Sequence, residues 1–147
     1  YIHDEIGYNF RLTNIQAALG VGQLEQLPEI IQRKKEIYHY YHSAIKNITG
    51  LSLSKVPDYA DNNHWLNLLK IDSKIYNEDR EVMMERLGKK GIQTRPVWKL
   101  NHVQNPYKDC QIYKIDNAME LVNKSLCLPS SSNLTEKNIN QVLKCLV

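Results

Sequence analysis

HDEIGYNFRLTNIQAALG, residues 3–20, decides how this chain is read. A polar loop carrying Asn9 and Arg11 runs straight into a helix signal. Thr13 with Gln16 three residues later forms a capping box, which predicts a helix starting near Asn14. That helix carries Ile15, Leu19, Val21 and Leu24, with Ala17, Ala18, Gly20 and Gly22 between them. Glycine inside a helix costs roughly 1 kcal/mol against alanine. Either another backbone lies close to Gly20 and Gly22, or the helix is poorly optimised. Arg11 stands just before the helix N-terminus, where unpaired N–H groups and the dipole favour negative charge. The Asn9 amide can donate to a phosphate oxygen.

Reading outward, Pro28 suits a first helical turn and no helix interior. A second helix is expected from Pro28 to about Lys46, with Ile30, Ile31, Ile37, Tyr38, Tyr41 and Ile45 at helical spacing. Residues 51–63 read as irregular. HWLNLLKI, 64–71, reads as a strand with two apolar faces, hence buried in a sheet. Asn77 is expected to cap the next helix, with Glu78 and Asp79 in its first turn, Lys89 and Lys90 in its last, and Gly91 as the stop. IQTRPVW, 92–98, reads as a strand in which Pro96 forces an edge or an exit. Residues 99–115 form a long polar loop, a kind that is uncommon and often functional. A short helix from Asp116 through Val122, a strand in SLCLP and a last helix after Thr135 complete the order. Ile139, Val142, Leu143 and Leu146 share one face of that last helix. The sum is a small α+β domain with a helical N-terminal arm.

Composition bounds the rest. The 147 residues suffice for one domain with a core; apolar residues make up 42% and charged residues 24%. A net charge of +3 is too small to argue for nucleic acid. The basic run Arg33-Lys34-Lys35 is followed by Glu36 and reads as a solvated helix face. Cys110, Cys127 and Cys145 are odd in number with no CxxC, which fits a reducing cytoplasm. No signal peptide or long apolar run is present, so no membrane segment is expected. The Asn-x-Ser/Thr triplets at Asn47, Asn123 and Asn133 are then chance matches. The chain opens on Tyr1 in the middle of a motif, which suggests a piece of a longer protein.

Few residues invite catalysis directly. His39 and His42 share a helix face, but zinc needs further ligands and none is evident, so both read as surface histidines. His3, His64 and His102 are scattered. There is no GxSxG and no cysteine with a local catalytic signature. TRPVWKLNH is more informative: Arg95, Trp98, Lys99 and His102 lie within eight residues. Arginine and lysine can hold phosphates and tryptophan can stack on a flat ring. An amphipathic edge strand with surface cations explains the same residues.

GYNFRLTNIQAALGVGQLEQL closely resembles a long motif of the DegT-type sugar aminotransferases. GIQTRPVWKLNH followed by NPYKD resembles their downstream substrate loop, and SLCLPSSSNLTEKNINQVLKCL their C-terminal strand and helix. The TRPVWKLNH form looks most like the LegC-type subgroup, whose members make 4-amino sugars on nucleotide carriers for bacterial surface glycans. The resemblance covers nearly the whole chain in order. It implies the C-terminal small domain of a type I aminotransferase fold, with a small antiparallel sheet and flanking helices. Residues 1–30 would end the large-domain and dimer-interface segment, and residues 31–147 would be the small domain. It also implies pyridoxal 5′-phosphate, an amino-acid donor such as glutamate, a nucleotide-linked keto sugar as acceptor, and a homodimer with active sites shared between subunits. Asn9 matches the position that contacts the cofactor phosphate, and Arg11 lies in the same motif. Tyr8, Arg95, Trp98 and His102 match substrate-side positions.

The departure is what lies elsewhere. In the family the Schiff-base lysine and the pyridine-nitrogen carboxylate both precede GYN. None of the nineteen lysines and arginines here sits in the family's lysine motif. This chain is therefore expected to supply no catalytic lysine, to bind no cofactor alone and to be inactive alone. The helix from Asn14 should expose apolar surface, and self-association through residues 14–31 is expected. Two other readings compete: a stand-alone binding or regulatory module that reuses the small-domain fold, and a small basic nucleic-acid binder.

Overall fold

The computed structural model describes residues 2–9 and 11–147. Helix α1, Asn14–Glu25, starts at the expected capping box: Thr13 N–H donates to Gln16 Oε1 at 2.8 Å, and Gln16 N–H donates to Thr13 Oγ1 at 3.3 Å. Helix α2, Leu27–Ile45, follows after the single residue Gln26 and carries Pro28 in its first turn. Proline lacks an N–H and costs nothing there. Tyr41, Ile37 and Ile45 form the buried stripe of α2.

Four short strands make one antiparallel sheet in the order β1–β2–β4–β3: β1 Leu51–Leu53, β2 Asn67–Ile71, β3 Arg95–Pro96 and β4 Ser125–Leu128. The pairs Leu51↔Ile71, Leu53↔Leu69 and Leu69↔Leu126 set one apolar face. With α2, with Met83 and Leu87, and with Ile139, Val142, Leu143 and Leu146, that face forms one buried cluster. The opposite face carries Leu68, Lys70, Ser125, Cys127 and Arg95, by the pairs Leu68↔Cys127, Lys70↔Ser125 and Arg95↔Cys127. Helix α5, Asp116–Lys124, packs against β2 and β4 and has no buried residue of its own. The architecture is the α+β small domain expected from the sequence.

Several local expectations need correcting. Residues 51–53, read as irregular, form β1. The strand expected over 64–71 begins only at Asn67, because His64 adopts a left-handed backbone, φ +49°, that ends extended pairing. Asn77 does not cap the following helix but is the C-cap of the preceding one. It stands left-handed, φ +63°, at the end of a short helix α3, Ser73–Tyr76, which Asp72 caps. The cap of α4, Arg80–Lys89, is Asp79, whose side chain accepts from Val82 N–H at 2.9 Å; Glu78 lies before the helix and Glu81 in its first turn. The strand expected over 92–98 pairs only at Arg95–Pro96, since Pro96 has no N–H to continue the ladder. Helix α5 runs two residues beyond Val122. Two short 3₁₀ turns, Asn101–Val103 and Asn105–Tyr107, organise the long loop. Helix α6, Glu136–Leu143, closes the chain from a second capping box at Thr135.

Candidate functional site

The described residues of the N-terminal arm, 2–9 and 11–13, lie outside any helix or strand and are exposed. Asn9 and Arg11 lie on its surface, and Arg11 takes a positive φ of +76°, rare for a residue with a side chain. Among the described residues, Arg11 has no hydrogen bond or ion pair, so its charge and the α1 N-terminus are both available to an anion. Tyr8 is 80% exposed. Helix α1 buries nothing: Ile15, Leu19, Val21 and Leu24 are all more than half exposed. A Cβ built at Gly20 or Gly22 would meet nothing within 4 Å. Among the described residues, no other backbone approaches these glycines closely.

The arm is fastened at its start. His3 N–H donates to Gln104 Oε1 at 3.2 Å, and Asn105 Nδ2 donates to Asp4 Oδ1 at 3.0 Å. Gln104 is buried, and its amide nitrogen donates to the Lys99 carbonyl at 3.3 Å. A chain segment from the N-terminus is thus moored to the long loop that follows Arg95.

Arg95 and Trp98 come together. They line a cleft of about 480 Å³ with Trp65, Leu66, Pro96 and Cys127. Edge strand β3 ends at Pro96, and the chain turns outward and exposes Trp98. Trp65 is presented from the other side, just before β2. Two side-chain turns shape that approach: Asn62 Oδ1 accepts from His64 N–H at 2.8 Å, and Asn63 Oδ1 accepts from Trp65 N–H at 2.9 Å. His64 then tucks under Tyr38, with ring centroids 4.0 Å apart. Lys34 on α2 donates to the Ser130 carbonyl and, at 3.4 Å, to the Trp65 carbonyl, which also accepts from Ser130 Oγ at 2.9 Å. This clip fixes the backbone that carries Trp65. Burial lowers the pKa of Lys34. The Cys127 thiol at the cleft floor is pushed up by burial, with the Arg95 charge acting in the opposite sense.

His102 does not join Arg95 and Trp98. It lies half-buried in a separate hollow of about 300 Å³ with Tyr107 and Tyr113. Trp65 and Gln104 are the residues that sequence reasoning missed. Trp65 was absorbed into a strand, although it is one of only two tryptophans and the other already stood in the candidate loop. His39 and His42 are exposed, and no cluster able to hold a metal ion exists among the described residues.

The sequence pattern of the DegT/DnrJ/EryC1/StrS aminotransferase family matches residues 1–147. The chain is 33% identical to EpsN of Bacillus subtilis (strain 168), a protein whose naming as a pyridoxal phosphate-dependent aminotransferase is itself provisional. That match covers 100% of this chain and 38% of the relative. It is 35% identical to a GDP-perosamine synthase of Escherichia coli O157:H7, over 95% of this chain and 36% of that protein. The fold superposes on the crystal structure of DesI, solved with its TDP-sugar product. There the TM-score is 0.82 and the identity 24%, over 89% of this chain and 34% of that one. The chain thus spans little more than a third of the length of the proteins it matches. No helix among the described residues is long and apolar enough to cross a membrane.

Proposed function

We propose, because this chain belongs to the DegT/DnrJ/EryC1/StrS aminotransferase family, that it is the C-terminal part of a pyridoxal phosphate-dependent nucleotide-sugar aminotransferase. The observation that carries the reading is the match over all 147 residues, with relatives that include a GDP-perosamine synthase. The whole enzyme transfers an amino group from an amino acid, glutamate by family analogy, to the keto group of a nucleotide-linked sugar. It does so in the cytoplasm, for bacterial surface glycans. Residues 1–30 belong to the large-domain and dimer-interface segment, and residues 31–147 are the small domain.

The donor set of this chain fits one end of the cofactor. Arg11, with no hydrogen bond or ion pair among the described residues, the Asn9 amide and a helix N-terminus suit a phosphate dianion. For the other end, none of the chain's lysines sits in the family's Schiff-base motif. The first lysine is Lys34, and its ammonium is already spent on two carbonyls. When bound, the cofactor supplies the electron sink for moving the amino group. This chain's part is to hold the phosphate through Asn9 and Arg11, in a site shared with the partner subunit, and to bind the acceptor through Tyr8, Arg95 and Trp98; His102, in its separate hollow, is not part of the Arg95 and Trp98 cleft. Alone it binds no cofactor and turns over no keto sugar.

The test uses the protein encoded by the gene extended upstream of Tyr1. It is loaded with pyridoxal phosphate, reduced with borohydride and mapped by mass spectrometry. A single modified lysine upstream of Tyr1 supports the reading. An unmodified protein refutes it and leaves a binding module that shares the fold.

A further inference from the structure

Both tryptophans of the chain stand at one cleft. Their ring centroids are 5.8 Å apart and the rings are inclined by 38°, which makes an open wedge and not a closed stack. Trp65 remains 63% exposed and Trp98 42% exposed, so each offers ring surface to something outside the fold. Large exposed aromatic rings are costly to leave in water. Arg95 lines the same cleft, on the sheet face that carries Cys127. The volume lies within the range of small-molecule sites, about 300–1,000 Å³. The arrangement combines a flat apolar slot with a cation at its border. A ligand that matches it has a planar heteroaromatic ring joined to an anionic group a few bonds away.

We propose that Trp65 and Trp98 form a nucleobase wedge, and that Arg95 at its border pairs with the diphosphate of a nucleoside diphosphate carrier. The proposal rests on the reading of the acceptor as a nucleotide-linked sugar, and it assigns the parts. Trp65, which the sequence motif does not include, is a wall of the site equal in weight to Trp98. The Lys34–Ser130–Trp65 clip explains why an exposed indole keeps a fixed place: its backbone carbonyl is held from two sides. Stacking on a ring face tolerates different bases. Discrimination among uridine, guanosine and thymidine carriers therefore belongs to other contacts.

Because Trp65 and Trp98 are the only tryptophans, emission excited near 295 nm reports this cleft alone. The 147-residue chain is titrated with UDP, GDP and dTDP, and with inorganic pyrophosphate as the control without a base. Saturable quenching by the nucleoside diphosphates is expected, with none by pyrophosphate. Trp65→Leu and Trp98→Leu should each weaken nucleotide binding by about tenfold, the scale of one lost base–aromatic stack. The same variants are compared in the upstream-extended protein by equilibrium dialysis with labelled GDP, so that poor folding of the shorter chain does not shield the idea. An affinity that Trp65→Leu leaves unchanged in either protein overturns the proposal, as does the absence of saturable quenching by all three nucleotides in a folded chain. The lysine adduct is an independent readout. An adduct with no Trp65 effect sinks the wedge and spares the aminotransferase reading; nucleotide quenching with no adduct does the reverse.

Discussion

His64 shows how one residue ties backbone strain to charge. It is buried in a left-handed conformation, stacked on Tyr38, with His39, Lys35 and Asp61 around it. Burial lowers its pKa below 6.5, the positive neighbours His39 and Lys35 lower it further, and Asp61 acts against them. The unfolded chain therefore takes up the proton first as the pH falls. Stability should be full above pH 6.5 and decline as the pH drops through 6.5 towards the lowered folded value. His64→Asn keeps a side chain that tolerates positive φ and removes the titration. Thermal melts across that window should show the slope in the parent and a flatter line in the variant; equal slopes would place the titrating group elsewhere. At this scale the sequence was partly legible. Arg95 and Trp98 were readable because they are near neighbours in one polar stretch. Trp65 was not, because its place beside Trp98 is made by Lys34 and Ser130, from distant parts of the chain.

The elements depend on a few positions where the chain must bend. Gly50 takes φ +85° immediately before β1, and its carbonyl accepts from Asp72 N–H at 2.8 Å. A Cβ there would lie 2.8 Å from the Tyr76 backbone nitrogen and 2.9 Å from Tyr76 Cβ. Gly91 has a similar φ of +73° but open space around it. Gly50→Ala should therefore cost about 2 kcal/mol or more in denaturant unfolding, and Gly91→Ala only about 1 kcal/mol. Equal losses would mean that the Tyr76 contact relaxes freely. The same corner explains why β1 escaped the sequence reading. Three residues, Leu-Ser-Leu, are too few to display a period, and pairing with β2 is what makes them a strand. Helices α1, α2 and α6 were legible because capping boxes, Pro28 and the i, i+3, i+4 stripes are local signals. The Asp79 cap was missed since Asn77 offered an equally good local one, and only the preceding helix α3, which Asn77 closes, decides between them.

At the scale of the whole molecule, α1 stands apart from the core with apolar residues on all sides and none buried. A helix apolar all round belongs inside something. The 147-residue chain should therefore self-associate in sedimentation experiments, and Leu19→Glu combined with Leu24→Glu should return it to a monomer. A parent chain that sediments as a monomer at high concentration would refute this. The small domain was legible as a unit because its core closes within residues 37–146. The surroundings of α1 were not, because no described residue buries its apolar side chains. One further feature bears on redesign. The arm that carries Asn9 and Arg11 is moored at His3 and Asp4 to Gln104 and Asn105, in the loop that follows the tryptophan cleft. The elements proposed to hold the cofactor phosphate and the acceptor therefore share a fastening. A graft of residues 99–107 from a relative would also reset the arm unless residues 2–5 were transplanted with it. The two stretches act as one structural unit, although about a hundred residues separate them.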